Sequence, residues 1–215
     1  MDATETTVAA VSDVGPDAVA IAIETPPGFS AEPGQFVKLS TTIDGEREGR
    51  FYTVSSPTTE GTFEFTISYD PDEGGAFSEY LVNIEAGDTV EIAGPFGDDY
   101  YEGETRVVVF AGGPGVGPAV AIAERALADG HEAAVVYRDD HPLHEDRLAT
   151  LAGTSADVFV LSADDSLTDA VAAVVTGADD EQVFVYGFAD FLEAAEAAVE
   201  AAGGDYDGAK VENFG

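Results

Sequence analysis

Two patterns of hydrophobic positions divide the chain near residue 100. In the first half, apolar residues alternate with small or polar ones, a period typical of strands with one buried face. The clearest alternating positions are Val19, Ile21, Ile23, Phe63, Phe65 and Ile67. Further strands are predicted at residues 5–13, 35–41, 50–56 and 88–93, with one helix at 75–83. Short strands at this spacing indicate an antiparallel barrel or sandwich, and we expect a six-stranded barrel.

From residue 106 onward, continuous apolar runs alternate with alanine-rich stretches. The run Val107–Phe110 is typical of a strand buried on both faces of a parallel sheet. Later strands are predicted at 133–137, 157–161, 182–186 and 208–212, and helices at 117–129, 143–151, 166–175 and 189–202. This alternation predicts a Rossmann-like, doubly wound parallel sheet. We therefore expect two domains, residues 1–101 and 102–215.

The charge of the chain is strongly acidic and evenly spread. The sequence has 43 acidic and 8 basic residues, a net charge of −35, with −18 in residues 1–103 and −17 in the remainder. Such a surface repels nucleic acid and anionic membranes, so we expect neither as a partner. Concentrated salt would screen the repulsion within the molecule. The composition therefore predicts a protein from a halophilic organism.

Several kinds of site are excluded or disfavoured by composition. The chain has no cysteine, which excludes disulfides, thiolate zinc sites and iron–sulfur clusters held by this chain. It has three histidines, and we expect no metal site, with His141 and His144 at a solvated helix start. Residues 1–5 lack the basic start of a signal peptide, and no long apolar run follows. We expect a soluble, cytoplasmic protein.

A glycine-rich turn follows the first buried strand and precedes a helix. Its glycines are Gly112, Gly113, Gly115 and Gly117. Glycines allow a close approach to a pyrophosphate, and the N-terminus of the next helix offers free N–H groups to an anion. The pattern favours dinucleotide binding. The alternative is a purely structural turn between strand and helix.

The segment from Arg50 to Thr53 holds an arginine, two aromatic residues and a hydroxyl. Arginine is scarce in this chain, so Arg50 within a strand indicates an anionic partner. Tyr52 offers a flat face for stacking on an aromatic ligand. From the residues alone, a barrel strand with Arg50 paired to a nearby acid is an equally good interpretation.

This segment resembles the Arg-x-Tyr-Ser/Thr flavin motif of the ferredoxin–NADP reductase superfamily. The resemblance implies that Arg50 binds an FAD phosphate, that Tyr52 stacks on the flavin ring and that Thr53 lies near flavin N5. Phe51 belongs to the same motif. Further resemblances in the same order imply FAD contacts at Ile67, Ser68, Tyr69, Gly74, Gly75, Ala76 and Ser78. The family fold is an antiparallel FAD-binding barrel followed by an NAD(P)-binding domain.

The end of the chain and the glycine loop extend the resemblance over nearly the full length. Glu212 and Phe214 resemble C-terminal residues beside the flavin ring, and with Tyr52 and Thr53 they are the predicted catalytic residues. Glu212 could relay a proton, or it could be one more solvated acid. Phe214 could cover the flavin, or it could cap the core. Gly112–Gly117 is similar to the loop of the family that binds the nicotinamide dinucleotide.

The resemblance implies an FAD-dependent oxidoreductase that passes a hydride between NAD(P)H and flavin. Because the chain holds no second redox centre, electrons would pass to a separate acceptor such as a ferredoxin or an oxygenase component. Tyr186 and Gly187 stand where the family commonly has Cys-Gly beside the nicotinamide, so the resemblance predicts that they contact the cofactor. The change from Cys to Tyr, and Pro114 in place of a frequent hydroxyl, are departures from the family pattern. The alternative is therefore a flavin-bearing subunit with a decayed nicotinamide site, which docks to another redox protein.

The choice between the two nicotinamide cofactors depends on Arg138 and Asp139. These residues follow the strand at 133–137. Arginine can hold the 2′-phosphate of NADP, and an acid can bind the free ribose of NAD. Asp139 and Asp140 together would repel a phosphate, so we lean to NADH. A charged loop with an internal ion pair is the alternative.

Overall fold

The computed structural model describes residues 3–69 and 75–215. Within these residues, the first half forms a six-stranded antiparallel sheet in the order β4-β3-β6-β1-β2-β5. The strands are β1 (Thr4–Gly15), β2 (Ala18–Glu24), β3 (Phe36–Ile43), β4 (Glu46–Thr53), β5 (Thr62–Ser68) and β6 (Thr89–Phe96). One helix, α1 (Ala76–Val82), lies between β5 and β6. We call this half the barrel lobe.

The edge strands of the sheet meet and close it into a barrel. Val54 pairs with Phe65 in an isolated antiparallel bridge, and the Ser55 N–H donates to the Glu64 carbonyl at 2.8 Å. The predicted alternation is confirmed, because Ile21, Ile23, Phe63, Phe65 and Ile67 are all buried in the core of the barrel lobe. The fold of the first half is therefore the expected barrel.

The strand predicted at 50–56 begins four residues earlier than expected and ends three residues earlier, at Glu46–Thr53. Asp44 and Gly45 both have positive φ values, 51° and 87°, which form the tight hairpin turn between β3 and β4. This turn pairs Ile43 with Glu46 and starts β4 early. After Thr53 the chain leaves β3 for β5. The register places Thr53 at the end of the strand.

The second half, in the part of the chain described, is a five-stranded parallel sheet in the order β11-β10-β7-β8-β9. We call it the sheet lobe. Its strands are β7 (Arg106–Gly112), β8 (Glu132–Arg138), β9 (Asp157–Leu161), β10 (Glu181–Gly187) and β11 (Lys210–Asn213). Its helices are α2 (Val116–Ala128), α3 (Glu145–Ala152), α4 (Leu167–Val174) and α5 (Ala189–Ala201). A single 3₁₀ turn, Gly113–Gly115, joins β7 to α2.

Helices cover both faces of this sheet. Val107 and Val109 pack into the core that includes α2 and α3, whereas Val108 and Phe110 pack into the core that includes α4 and α5. All four side chains are fully buried. This explains the continuous apolar run and confirms the doubly wound architecture. The proposed domain boundary at 101/102 lies between β6 and β7.

The described residues contain no helix that is long and apolar enough to cross a membrane. Within residues 3–69 and 75–215, no three His, Asp or Glu side chains come together as a metal site would require.

Candidate functional site

A cavity of about 650 Å³ lies where the barrel lobe meets the sheet lobe. The end of β4 and the strand β5 form one wall, and the starts of α1 and α2 and the segments after β10 and within and after β11 complete it. Its lining includes Arg50, Phe51, Tyr52, Thr53, Ser55, Thr66, Ser68, Gly75, Ser78, Pro114, Pro118, Phe188, Glu212, Asn213, Phe214 and Gly215. This volume is within the range of pockets that hold an organic cofactor.

Arg50 presents a largely unneutralised guanidinium at the cavity. Its side chain is 57% exposed, and within the described residues its nearest acid is Glu48, with Nη1 4.0 Å from Oε2. Arg50 Nη1 also donates to the Gly49 carbonyl at 3.1 Å. Within residues 3–69 and 75–215, the alternative of a local ion pair is thus realised only at the limit of contact. Among these residues, no carboxylate lies closer than 4.0 Å to the guanidinium.

Tyr52 presents a largely buried aromatic ring beside Arg50. The ring packs against Phe77 of α1, with centroids 6.4 Å apart. Burial raises the pKa of Tyr52, whereas a hydrogen bond with Ser78 and the Arg50 charge oppose the rise. The phenol therefore stays neutral. Tyr52 offers an apolar face to a ligand in the cavity.

Thr53 and Glu212 are 159 residues apart in sequence and meet inside the cavity. The Thr53 hydroxyl lies 3.1 and 3.0 Å from the two Glu212 carboxylate oxygens. Burial raises the pKa of Glu212 to about 7, and the nearby Asp99 charge adds to the rise, whereas the hydrogen bond from Thr53 opposes it. This carboxyl can hold or release a proton near neutral pH. It is not one more solvated acid.

Phe214 packs among aromatic rings at the C-terminal side of the cavity. Its ring centroid is 6.4 Å from that of Tyr186 and 6.4 Å from that of Phe188. Phe188 is half exposed and lines the cavity, although the sequence did not single it out. Its position directly after Tyr186-Gly187 was the available signal. Phe214 therefore both lines the cavity and covers Tyr186.

Most glycines of the predicted nucleotide loop face protein atoms. A Cβ on Gly112 would lie 2.6 Å from Phe191, and one on Gly115 would lie 2.3 Å from the Tyr186 carbonyl oxygen. A Cβ on Gly117 would lie 2.3 Å from Ser55 Oγ. Gly113 differs, because its φ is +56° and a Cβ there would meet nothing closer than 3.8 Å. Packing therefore explains three of the four glycines.

Tyr186 and Gly187 lie behind the cavity wall. Tyr186 is fully buried, and its hydroxyl donates to the Asp99 carbonyl at 3.3 Å. Burial raises the pKa of Tyr186 well above its usual value. A Cβ on Gly187 would lie 2.8 Å from Phe191. The predicted contact of these residues with nucleotide thus has no support from their placement, and Tyr186 instead anchors the segment between the lobes.

The remaining predicted FAD contacts are only partly brought to the cavity. Ser68, Gly75 and Ser78 line it, and a Cβ on Gly75 would lie 3.7 Å from Arg50 Nη2. Ile67 points into the barrel core, and the Tyr69 N–H donates to the Asp17 carbonyl. Ala76 starts α1, and Gly74 lies outside the described residues. The Phe51 ring is exposed and packs edge-on against Phe36 and Phe96.

Arg138 and Asp139 lie beside the glycine loop without pairing to each other. The Arg138 guanidinium lies over the Phe191 ring, 5.4 Å from its centroid. The Asp139 carboxylate accepts from the His141 N–H at 2.9 Å and lies 3.9 Å from where a Gly113 Cβ would be. Among the residues described, Arg138 has no carboxylate within 4 Å. The predicted alternative of an internal ion pair is therefore wrong.

His144 is buried, so the expectation of a solvated helix start is wrong. Its residue is 5% exposed, and its Nε2 lies 2.8 Å from Thr66 Oγ1 in β5 of the other lobe. Burial lowers the pKa of His144 to about 4, and the Arg147 charge contributes. His141, at the same loop, is exposed as expected. The sequence could not indicate this because the burial comes from packing between lobes.

Residues 6–101 match the family model described as "oxidoreductase FAD-binding domain". This segment holds all six strands of the barrel lobe described above except the first two residues of β1. It also carries the Arg50–Thr53 segment. The match therefore covers the barrel wall of the cavity and leaves the sheet lobe to other comparisons.

Known proteins resemble about half of the chain in sequence and the whole chain in fold. The toluate 1,2-dioxygenase electron transfer component of Pseudomonas putida is 35% identical over 114 residues, 52% of this chain and 30% of that relative. The chain thus spans about a third of this relative's length.

Solved structures match the chain along its length, and two of them serve as examples. The flavohem-like FAD/NAD-binding domain of nitric oxide dioxygenase from Vibrio cholerae has a TM-score of 0.82 at 20% identity, covering 100% of both chains. The ferredoxin NADP⁺ reductase from Neisseria gonorrhoeae, with bound FAD and NADP, has a TM-score of 0.78 at 18% identity, covering 99% of this chain and 98% of that one. Residues 6–101 thus match an oxidoreductase FAD-binding domain, and the whole chain shares its fold with the ferredoxin NADP⁺ reductase structure.

Proposed function

We propose that the protein is an FAD-dependent oxidoreductase that takes a hydride from NAD(P)H and passes electrons to a separate acceptor protein. The observation that carries the proposal is the cavity in which the Arg50–Thr53 segment meets Glu212 and Phe214. Residues from both lobes converge there. The fold and the match of residues 6–101 support the same class of reaction.

The cavity side chains fit FAD in chemistry and size. Arg50 would bind a phosphate, because its guanidinium is exposed and poorly neutralised. The Tyr52 face would stack on the flavin ring, and Ser68 and Ser78 offer hydroxyls to its polar parts. Bound FAD would supply hydride acceptance and the release of single electrons. The chain supplies binding, orientation and the exclusion of water.

Thr53 and Glu212 are proposed to manage a proton at the cavity. The Thr53 hydroxyl is held by the Glu212 carboxylate, which fixes its direction. Because the pKa of Glu212 is about 7, its carboxyl can be protonated or ionised at working pH. Phe214 would limit water access from the C-terminal side. These residues keep the catalytic roles predicted from the sequence.

For the nicotinamide cofactor we propose NADH over NADPH. The N-terminus of α2, a helix of 13 residues, would attract a pyrophosphate through its positive dipole end. Asp139 lies close to Gly113 at this loop, where a carboxylate would accept from ribose hydroxyls and repel a 2′-phosphate. Arg138, held over Phe191, does not neutralise Asp139. Both residues remain the proposed determinants of cofactor choice.

The acceptor is proposed to be a ferredoxin-like protein or an oxygenase component. The name of the Pseudomonas putida relative, an electron transfer component of a dioxygenase, supports this class of partner. The competing proposal is a flavin-bearing subunit without nicotinamide chemistry. It draws on the absence of Tyr186 and Gly187 from the cavity lining.

Flavin content and reduction by nucleotide test the proposal. We expect the purified protein, loaded with FAD, to be yellow and to bleach anaerobically with NADH, and more slowly with NADPH. A yellow protein that neither nucleotide bleaches would favour the electron-transfer subunit. A colourless protein that cannot be loaded with FAD would contradict the proposal as a whole.

We also propose that the protein is adapted to concentrated salt. The net charge of −35 is spread over both halves, and eight basic residues cannot neutralise it. Stability should fall as salt is diluted, because the Debye length grows from about 3 Å at 1 M to about 10 Å at 0.1 M. A melting temperature independent of salt would refute this. A cytoplasmic location stays a prediction from the sequence.

A further inference from the structure

The start of α3 in the sheet lobe holds the barrel-lobe segment that follows Thr53. Arg147 Nη1 donates to the Ser55 carbonyl at 2.9 Å and to Glu64 Oε1 at 2.7 Å. The same guanidinium binds Glu124 of α2 with two hydrogen bonds, of 2.9 and 2.6 Å. Arg147 therefore ties two helices of one lobe to the cavity wall of the other.

A second connection runs through buried side chains to the hydroxyl of the same serine. His144 Nε2 lies 2.8 Å from Thr66 Oγ1, which lies 3.0 Å from Ser55 Oγ. The Thr66 N–H also donates to Ser55 Oγ, at 3.1 Å. Ser55, Thr66 and His144 are 0%, 7% and 5% exposed. The three residues form a chain of hydrogen bonds, shielded from water, that crosses from one lobe to the other.

This chain lies on the floor of the cavity and against the helix of the glycine loop. Ser55 and Thr66 both line the cavity. A Cβ on Gly117 would lie 2.3 Å from Ser55 Oγ and 2.4 Å from Thr66 Oγ1, so the start of α2 is in direct contact with both hydroxyls. A shift of Ser55 would therefore move the neighbouring Tyr52–Thr53 segment and the glycine loop relative to each other.

Stability alone does not account for this arrangement. Three buried polar side chains need a complete set of hydrogen bonds, because burial without them costs free energy. Apolar side chains of similar volume would fill the space without that requirement. His144 also adopts a left-handed backbone, with φ 53° and ψ 34°. Its low pKa keeps the imidazole neutral, so it can make one directed hydrogen bond at physiological pH. The geometry favours a role in orientation.

We propose that His144 is a positioning residue for hydride transfer. Through Thr66 it fixes Ser55, and thereby sets the distance between the Tyr52–Thr53 wall and the glycine loop. The inference rests on the proposed function, because the two reactants would lie on these two sides. Small errors in such a distance are costly, since about 1 Å of misplacement can lower a rate on the order of 100-fold.

The test compares His144→Leu with His144→Gln in the full-length, FAD-loaded protein. Leu removes the hydrogen bond to Thr66, whereas the Gln amide can replace the imidazole Nε2, and both variants carry the same backbone strain. We expect His144→Leu to keep its FAD and to reduce it about tenfold more slowly at saturating NADH, with KM changed less than about twofold. His144→Gln should stay within about threefold of the wild type. The exposed His141→Leu serves as the matched control.

A second pair of variants covers the possibility that His144→Leu fails to fold. Thr66→Val removes the hydroxyl at nearly constant volume, and Thr66→Ser keeps it. We expect the same loss of rate in Thr66→Val and its recovery in Thr66→Ser. An unchanged rate of flavin reduction in His144→Leu, or in Thr66→Val if the first variant is unfolded, overturns the proposal.

Amide hydrogen exchange gives a readout that needs no cofactor. In the protein without FAD, His144→Leu should raise the exchange rate of the Thr66 amide by about tenfold, because Ser55 Oγ loses its fixed position. His144→Gln should leave that rate nearly unchanged. A wild-type protein that neither NADH nor NADPH can reduce would refute the proposed function, whereas the exchange rates would still decide whether His144 holds Ser55. Unchanged exchange in His144→Leu refutes the positioning role.

Discussion

The two walls of the cavity are built in different ways. On the barrel side, a short continuous segment turns its chemistry toward the cavity, with Arg50 exposed and Thr53 hydrogen-bonded to Glu212. On the sheet side, protein atoms fill the space beside most glycines of the loop, as the Tyr186 carbonyl does beside Gly115. The barrel wall thus presents side chains. Within the sheet wall, the glycine loop is backbone held in place by close packing, and side chains such as Pro118 and Glu212 line the cavity.

This difference changes how the glycine motif is understood. Gly115 and Gly117 are required because β10 and the barrel lobe approach the loop too closely for any side chain. Their effect on a nucleotide is indirect, because they set where the N-terminus of α2 lies. Substitutions on the two walls should therefore have different effects. Changes in the glycine loop should lower the stability of the protein, and changes in the Arg50–Thr53 segment should weaken the binding of the ligand.

The largest effect is expected within the glycine loop. Gly115→Ala would place a methyl group 2.3 Å from a backbone oxygen that cannot move freely, and should destabilise the protein by about 3 kcal/mol. Gly113→Ala meets open space and should cost only about 1 kcal/mol for its left-handed backbone. Denaturant unfolding of both variants measures the difference. Equal losses would show that packing does not distinguish the two glycines.

On the barrel wall, Arg50→Ala should lower FAD affinity about 30-fold, since a charged hydrogen bond to phosphate is worth about 2 kcal/mol. Stability should hardly change, because the side chain is exposed. Arg47→Ala is the matched control: it lies in the same strand, is equally exposed and pairs with Glu91 at 2.7 Å, away from the cavity. Titrating the cofactor-free form of each variant with FAD measures its affinity for FAD. An Arg47→Ala variant as weak as Arg50→Ala would remove the assignment of Arg50.

A pH profile examines the point where the two walls meet. The Glu212 carboxyl, with a pKa of about 7, is mostly protonated below pH 7 and mostly ionised above it. An ionised carboxylate opposes the arrival of negative charge in the cavity, so flavin reduction should slow by about tenfold between pH 6 and pH 8. Glu212→Gln, which imitates the neutral form, should give a flat profile. A wild-type profile that is already flat would exclude Glu212 from proton handling.

The smallest effect is expected in the choice of cofactor. Asp139→Asn removes the charge that would repel a 2′-phosphate and should raise kcat/KM for NADPH relative to NADH about fivefold. Asp140→Asn is the control, because the Asp140 carboxylate accepts from the Ala163 N–H at 2.9 Å and not from the glycine loop. A ratio that moves equally in both variants would assign the preference to the general acidity of the surface.

The same contrast explains what could be predicted from the sequence. The barrel and the parallel sheet follow from local periodicity, which a single sequence contains, whereas the role of the Arg50–Thr53 segment was predicted from its resemblance to a known motif. The buried state of His144 does not, because it depends on α3 packing against β5 of the other lobe. Tyr186 shows the same limit, since its hydroxyl donates to the Asp99 carbonyl, far away in sequence. Contacts between the lobes are a tertiary property.

The most direct measurement of the central claim is electron density for the protein crystallised with excess FAD. The account predicts one FAD in the cavity between the lobes, with its ring on Tyr52 and beside Thr53, and with a phosphate hydrogen-bonded to Arg50. Density for the dinucleotide elsewhere on the molecule, or a cavity filled by protein side chains, would contradict it.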